Sequence, residues 1–381
     1  VVRILWLILI VYVAFLSGAV RVRAQTPVEE TLFMTFVPNV QFSPVYVAQV
    51  KGYFDAQGLV VALEHGDEPV GVDLIAAGQR NFGLISGEQV LAARANGRDV
   101  VSVYEWFQQF PVGIVFNAAD DITTVEDLRG LNVGIPGRFG ASYSGLTAML
   151  TAHGMTESDI DLEEIGFNAA DVFCVGGVDA AVIYLNNEPI QIANRAAAGE
   201  CGDVSEIGVF AVSDSVDMVS NGLITSSAMI EADPDRVQAM VSAFDAGLRD
   251  VIRNPAEAYL LSTRFVENLT MTDQLQTALE AEAEEQRQRL LDDPDVTDTS
   301  LADYYVELLT RLRAEFSVQE LTQVEVLLST IPLWIAPRLG EADTEAWVAT
   351  QDVLLGMNFI ERQTEVEAAF TNAFVPGEAE S

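Results

Sequence analysis

Lysine is almost missing from this sequence: Lys51 is the only one in 381 residues, beside two histidines and two cysteines. Each scarcity removes a class of function. With 20 basic against 57 acidic residues the formal net charge is -37, a field that repels phosphate backbones and anionic lipid surfaces, so no nucleic-acid partner is expected. The acidity reads as a solvated surface suited to a salty or acidic exterior. His65 and His153 stand alone, and no Cys/His ligand spacing occurs; no metal, no cofactor and no Ser/His/Asp or Cys/His catalytic set is expected. Cys174 and Cys201 are compatible with one disulfide, which an oxidising compartment allows, or with two buried thiols. Internal repeats and long low-complexity tracts are absent.

What is present begins with an apolar run over residues 4–20, preceded by Arg3 and followed by Val22-Arg23-Ala24, a small-residue pattern of the kind signal peptidase accepts. Export with cleavage after Ala24 is expected. Arg21 and Arg23 behind the run, and its near-spanning length, leave an uncleaved N-terminal anchor as the alternative for residues 1–24. No cysteine lies near the junction, which excludes a lipoprotein anchor. A composition that is 50% hydrophobic over this length supports two cores, hence two domains.

Residues 31–63 hold a strand, turn, helix and strand. The β-branched and aromatic run 31–37 predicts a buried strand ended by Pro38 and Asn39. Ser43 reads as an N-cap, Pro44 as the first helical residue and Gly58 as a left-handed terminator, with Val47, Val50 and Phe54 on one face. The loop 38–42 then lies where a strand's carboxyl end meets a helix, the usual ligand position in open α/β sheets. A helix over 73–77, a strand over 81–85, a helix over 86–95 and a strand over 100–103 continue the pattern. Successive βα units imply a parallel sheet with right-handed crossovers.

Residues 111–116 read as a crossing strand into a second domain. There, strands at 132–135, 161–165 and 180–184 form a second sheet, with a helix over 146–153 and another opened by Asn186-Asn187-Glu188-Pro189 and running through Arg195. Segments 209–212 and 219–225 are expected to return the chain, and 234–374 is helical by period. The expectation is therefore one lobe from 31–115 plus 216–376, carrying extra C-terminal helices, and a second from 116–215, with two crossings acting as a hinge.

Several motifs invite chemistry. Glu88, Glu105 and Glu188 could be paired acids for glycoside hydrolysis, but each follows a strand in a different segment, and a carboxylate at a helix N-terminus is the plainer account. The Gly-rich turn 136–145 lacks both Gly-Lys-Ser/Thr and GxGxxG, so small residues letting a ligand's ring approach the backbone explain it better than a nucleotide does. A binding cleft is the stronger reading. Phe42, Tyr46, Trp106, Phe107, Phe139, Tyr143 and Tyr184 fall at or just beyond strand ends, interleaved with Asn39, Gln41, Glu88, Glu105, Gln108, Ser142, Asn187 and Glu188. Aromatic walls with a few amides and carboxylates suit a flat heterocycle bearing N–H donors. Trp106→Ala and Glu188→Ala are expected to weaken binding without unfolding the chain.

At these residues the sequence resembles the NMT1/THI5-like branch of substrate-binding proteins of ABC importers. VPNVQFSPVYVAQVKGYFDAQGL, NFGLISGEQVLAARANG, VEDLRGLNVGIPGRFGASYSGL and the terminal AFTNAFVP are similar to its landmarks. The resemblance implies an α/β, two-lobed periplasmic binding protein type II fold, closing by a hinge around a small aromatic heterocycle and docking, as a monomer, on a membrane ABC permease. It implies contact of Asn39, Tyr184 and Glu188 with the ring's polar edge. Members resembling this chain bind riboflavin or a formyl-aminopyrimidine precursor of thiamine, and both ligands stay open. The family's enzymes, which make the thiamine pyrimidine, use a lysine, a histidine and pyridoxal phosphate together with a cysteine-rich iron-binding run; this chain has no such run. A ligand-sensing lobe of a signalling system is the other alternative.

Overall fold

A computed structural model describes residues 27–377 apart from 268 and 295. The expected leader or anchor, 1–24, lies outside the described residues. Among those described, no helix is long and apolar enough to cross a membrane.

The strands run, in chain order, β1 (Val28–Thr35), β2 (Leu59–Gly66), β3 (Phe82–Ser86), β4 (Val101–Glu105), β5 (Val112–Asn117), β6 (Asn132–Ile135), β7 (Asp161–Glu164), β8 (Ala180–Tyr184), β9 (Ile207–Ala211) and β10 (Asn221–Thr225). They form two sheets, ordered β2-β1-β3-β10-β4 and β7-β6-β8-β5-β9. Alternation along each strand serves two faces. In the first lobe Leu32, Met34 and Leu84 pack beneath the C-terminal helices, while Phe33 and Ile85 pack on the opposite side. In the second, Ile114 and Val182 face one core, and Val115 and Ile183 the other.

Both sheets are mixed, where successive βα units predict parallel ones. β10 runs antiparallel between β3 and β4, and β5 is antiparallel to β8 and β9. The reason is the hinge. A strand entered directly from the crossing starts at the end where the parallel strands finish, so it must run the other way. Segment 209–212, expected to begin the return, instead lies largely in β9, an edge strand of the second sheet, and the chain crosses back over residues 212–220.

The helix expected to start at Ser43 is preceded by a short 3-10 turn, Val40–Phe42, and Asn39 rather than Ser43 is the capping residue, its Oδ1 accepting the Gln41 N–H at 3.0 Å. Ser43 is buried and its hydroxyl is shared with Val40 O and Ser262 Oγ. The helix expected over 73–77 starts earlier, at Glu68 (Glu68–Ala76). Cys174 and Cys201 form a disulfide on the outer face of the second sheet, beside Phe173 and Ile183. The Thr344–Gly356 helix links the lobes: Trp347 and Leu354 belong to the first lobe's core, Val353 rests on the second's, and Met357, which caps the helix, packs against both.

Candidate functional site

The carboxyl ends of the parallel strands from the two sheets face one another, and a cavity lined by residues of both lies between them, where ligands of open α/β sheets commonly sit. The first lobe supplies Thr35 and Phe36 after β1, Gln41 and Phe42 from the Val40–Phe42 turn, and Trp106 and Phe107 after β4. The second supplies Phe139, Ser142, Phe167, Tyr184, Asn187 and Glu188. Aromatic rings thus come from both sides, with amides and hydroxyls between them.

The lobes meet around this cavity. Phe36 and Phe167 are edge-to-face at 4.8 Å across its mouth. Phe36 holds φ at 69°, a left-handed conformation uncommon for a bulky side chain and typical of residues constrained by function. Asn186 donates to Gln41 Oε1 at 2.8 Å and to Thr330 Oγ1 at 2.8 Å, tying the second lobe to the first. The Tyr184 hydroxyl donates to Asn221 Oδ1 at 3.3 Å. Glu68 spans the gap: Oε1 accepts the Ser86 N–H at 3.0 Å, and Oε2 accepts the Ala141 N–H, in the other lobe, at 2.9 Å. Gln89, on the helix after β3, donates to Ser144 Oγ at 3.2 Å.

Of the residues expected in a cleft, the structure brings Gln41, Phe42, Trp106, Phe107, Phe139, Ser142, Tyr184, Asn187 and Glu188 to this cavity. Six others lie elsewhere. Asn39 sits on an adjoining outer groove, its carbonyl engaged in the cap. Tyr46 turns into the core, stacked on Phe265 at 4.5 Å, because the C-terminal helices cover that face. Glu105 alternates away from Trp106 and accepts the Trp347 indole N–H at 3.3 Å. Gln108 folds back on the hinge, donating to Glu105 O at 2.9 Å. Tyr143 lies on the outer side of the Gly140–Ala152 helix and donates to Glu157 at 2.8 Å. Glu88 is fully buried behind the cavity, accepting from Ser86 Oγ at 2.6 Å.

Sequence reasoning missed Phe36, Glu68, Phe167 and Asn221. Asp67-Glu68-Pro69 was a legible helix start, with a carboxylate in the first turn and Pro behind it. Phe36 and Phe167 carry no local signal. Asn221 needed the reversed direction of β10.

Electrostatics divide the acids. Burial raises Glu188, against the N–H groups of Tyr184 and Glu188 itself and the Asn187 amide, which favour its charged form. Burial also raises Glu68, opposed by Ser86 and Ala141. Glu88 is pushed to about 8 by burial and then by the neighbouring Glu68 charge. Glu105 reaches about 8 through burial, with the Trp347 bond opposing it and Asp343 and Asp217 adding to it. Tyr184 is driven well above its usual range by burial and by the charges of Glu68 and Glu88. A carboxyl whose folded pKa is raised adds stability below the unfolded value, lost as pH rises through the folded one. The melting temperature should therefore climb as pH falls from about 8 toward about 5. Surface carboxylates held low, such as Asp127 by the Thr123 and Thr124 N–H groups and Glu320 by Ser317, act oppositely and set the acid limit. Thermal melts of Glu88→Gln and Glu105→Gln should show a flatter slope across that window; slopes equal to wild type would contradict the assignment.

Lys51 is remote from this chemistry. It caps the Ser43–Val50 helix on the first lobe and pairs with Asp250 and Glu257, each at 2.7 Å. Desolvation would lower its pKa, but those two carboxylates outweigh it and keep the ammonium protonated.

A family model described as "NMT1/THI5 like" matches residues 39–258, more than half of the chain. The riboflavin-binding protein RibY of Chloroflexus aurantiacus is 30% identical over 355 residues, covering 91% of this chain and 86% of that protein. A 4-amino-5-hydroxymethyl-2-methylpyrimidine phosphate synthase of Aspergillus parasiticus is 27% identical over 57% of this chain and 65% of its own length. Among solved structures, the alkanesulfonate-binding protein SsuA of Xanthomonas axonopodis pv. citri superposes with a TM-score of 0.57 at 14% identity, covering 91% of this chain and 99% of that one. SsuA of Escherichia coli gives 0.58 at 13%, covering 90% and 92%. These likenesses show the two-lobed periplasmic binding protein fold.

Proposed function

This chain belongs to the NMT1/THI5-like family, and from that premise we propose that it is an extracytoplasmic substrate-binding protein that captures riboflavin between its lobes and delivers it to an ABC permease. The observation that carries this reading is the cavity walled by aromatic rings from both lobes, with Gln41, Asn187 and Asn221 as its amides. An isoalloxazine is flat, uncharged at neutral pH and edged with donors and acceptors. Stacking and desolvation would supply affinity, and the amides would select the ring edge. The relative that binds riboflavin aligns across both lobes, which favours this cargo over a thiamine pyrimidine precursor. Lys51, protonated and away from the cavity, favours carriage over Schiff-base chemistry.

Closure would be a shift of population between open and ligand-bound lobes. Glu188 organises the second lobe's edge of the cavity, its two oxygens accepting the Tyr184 N–H and the Asn187 amide. Glu188→Ala should weaken riboflavin binding by about tenfold or more, from the loss of these charge-assisted bonds, and should lower the melting temperature without unfolding the chain, because the Tyr184 N–H and the Asn187 amide lose their acceptor; calorimetric titration checks it, and wild-type affinity would remove Glu188 from the site. Native mass spectrometry of protein purified from riboflavin-supplemented cells tests the function. One flavin per chain with the yellow absorbance of oxidised flavin is expected, and a retained pyrimidine without flavin would replace the assigned cargo.

A further inference from the structure

The Gly140–Ala152 helix directs its amino end at the cavity, where Gly140, Ala141 and Ser142 are part of the lining. Free N–H groups at such an end, with the helix dipole behind them, ordinarily receive an anionic group of a ligand. Here the position is taken. Glu68 Oε2 accepts the Ala141 N–H at 2.9 Å, and the space a Cβ would fill at Gly140 holds that same oxygen, 2.2 Å from the ideal Cβ position. Glu68 is only 7% exposed and, among the described residues, has no ion-pair partner. No Lys, Arg or His lines the cavity among the described residues, while Glu188 adds a second carboxylate.

We propose that Glu68 is a specificity-determining residue: its carboxylate occupies the helix's anion position when the lobes close, so the site accepts an uncharged ligand and rejects the same ligand carrying a phosphate or sulfonate. This rests on the ligand reading above and narrows it to the unphosphorylated vitamin. An anion entering the closed site would meet two carboxylates with no cation to offset them, and a like-charge juxtaposition of this kind is a strong means of discrimination.

Two measurements test this. In flavin titrations the wild-type chain should favour riboflavin over riboflavin 5'-monophosphate by about a hundredfold or more, and Glu68→Ala should shrink that ratio at least about tenfold. In thermal melts sulfate should not stabilise wild type beyond a chloride control of equal ionic strength, but should raise the melting temperature of Glu68→Ala by occupying the vacated helix end. Glu68→Gln keeps the volume without the charge, so it should narrow the flavin ratio without a sulfate response, and it decides the matter if Glu68→Ala does not fold. Equal affinity of wild type for both flavins, sulfate stabilisation of wild type, a folded Glu68→Ala without a sulfate response, or unchanged flavin ratios in both variants would each overturn the proposal. If wild type bound neither flavin, the cargo assignment would fall, and the sulfate comparison would still decide the role of Glu68.

Discussion

A Gly140→Val variant should bind its ligand about a hundredfold more weakly than wild type while both lobes stay folded. Gly140 has φ of +65°, and a Cβ built on it comes within 2.2 Å of Glu68 Oε2. A β-branched residue there would bear a left-handed strain of about 1–2 kcal/mol and would push the Glu68 carboxylate off the Ala141 N–H through which it joins the lobes. A loss of about 2.7 kcal/mol in closure corresponds to two decades of affinity. The lobes themselves should survive, because each sheet is covered on both faces by its own clusters of side chains. Gly78→Val is the matched control: its φ is +66°, but nothing lies within 4 Å of the new Cβ. That variant should lose stability and keep affinity. Small-angle scattering of Gly140→Val should also lack the ligand-induced contraction expected of wild type; wild-type affinity and contraction together would refute the closing contact.

Trp106→Ala should destabilise the protein by about 3–5 kcal/mol, the usual cost of removing a large buried aromatic, as well as abolish binding. The sequence alone suggested a binding loss without unfolding, since Trp106 follows a strand end and could have projected freely into a cleft. It is 3% exposed instead. Its ring lies 4.7 Å from Phe107, 5.7 Å from Trp334, 5.8 Å from Phe42 and 5.8 Å from Phe244, centroid to centroid. It is therefore both a wall of the cavity and part of the first lobe's core. Its indole N–H has no hydrogen-bond partner among the described residues, and a bound ligand could satisfy it. Trp106→Phe should recover most of the stability but not the binding. A thermal melt with a flavin titration separates the two effects; an unchanged melting temperature in Trp106→Ala would show that the packing does not matter.

The contrast at Trp106 shows what the amino-acid pattern can carry. The βα rhythm from Thr31 to Val103 and the second set of strands from Asn132 to Tyr184 were legible because hydrophobic period and turn residues are local. So was the placement of Gln41, Phe42, Trp106 and Glu188 beyond strand ends. What was not legible depends on which face a distant element covers. Tyr46 is lost to the core only because Phe265, in the C-terminal helical region, stacks on it. Glu105 is lost because Trp347, 242 positions later, draws it to the opposite side of the sheet. Glu68 was hidden for the converse reason: its partners, Ser86 and Ala141, come from two different lobes, and only the closed arrangement gives its carboxylate a purpose. The small residues at 136–145 read as room for a ligand's ring, but at Gly140 the room is occupied by Glu68.

Titration of riboflavin fluorescence with ligand-free protein tests the central claim most directly. An isoalloxazine held against Trp106, Tyr184 and the neighbouring rings should lose most of its emission, saturating at one flavin per chain with a Kd of about 1 μM or tighter, and chromatography of the released ligand should return riboflavin unchanged. Undiminished fluorescence at protein concentrations far above that Kd, or a released product other than riboflavin, would contradict the account.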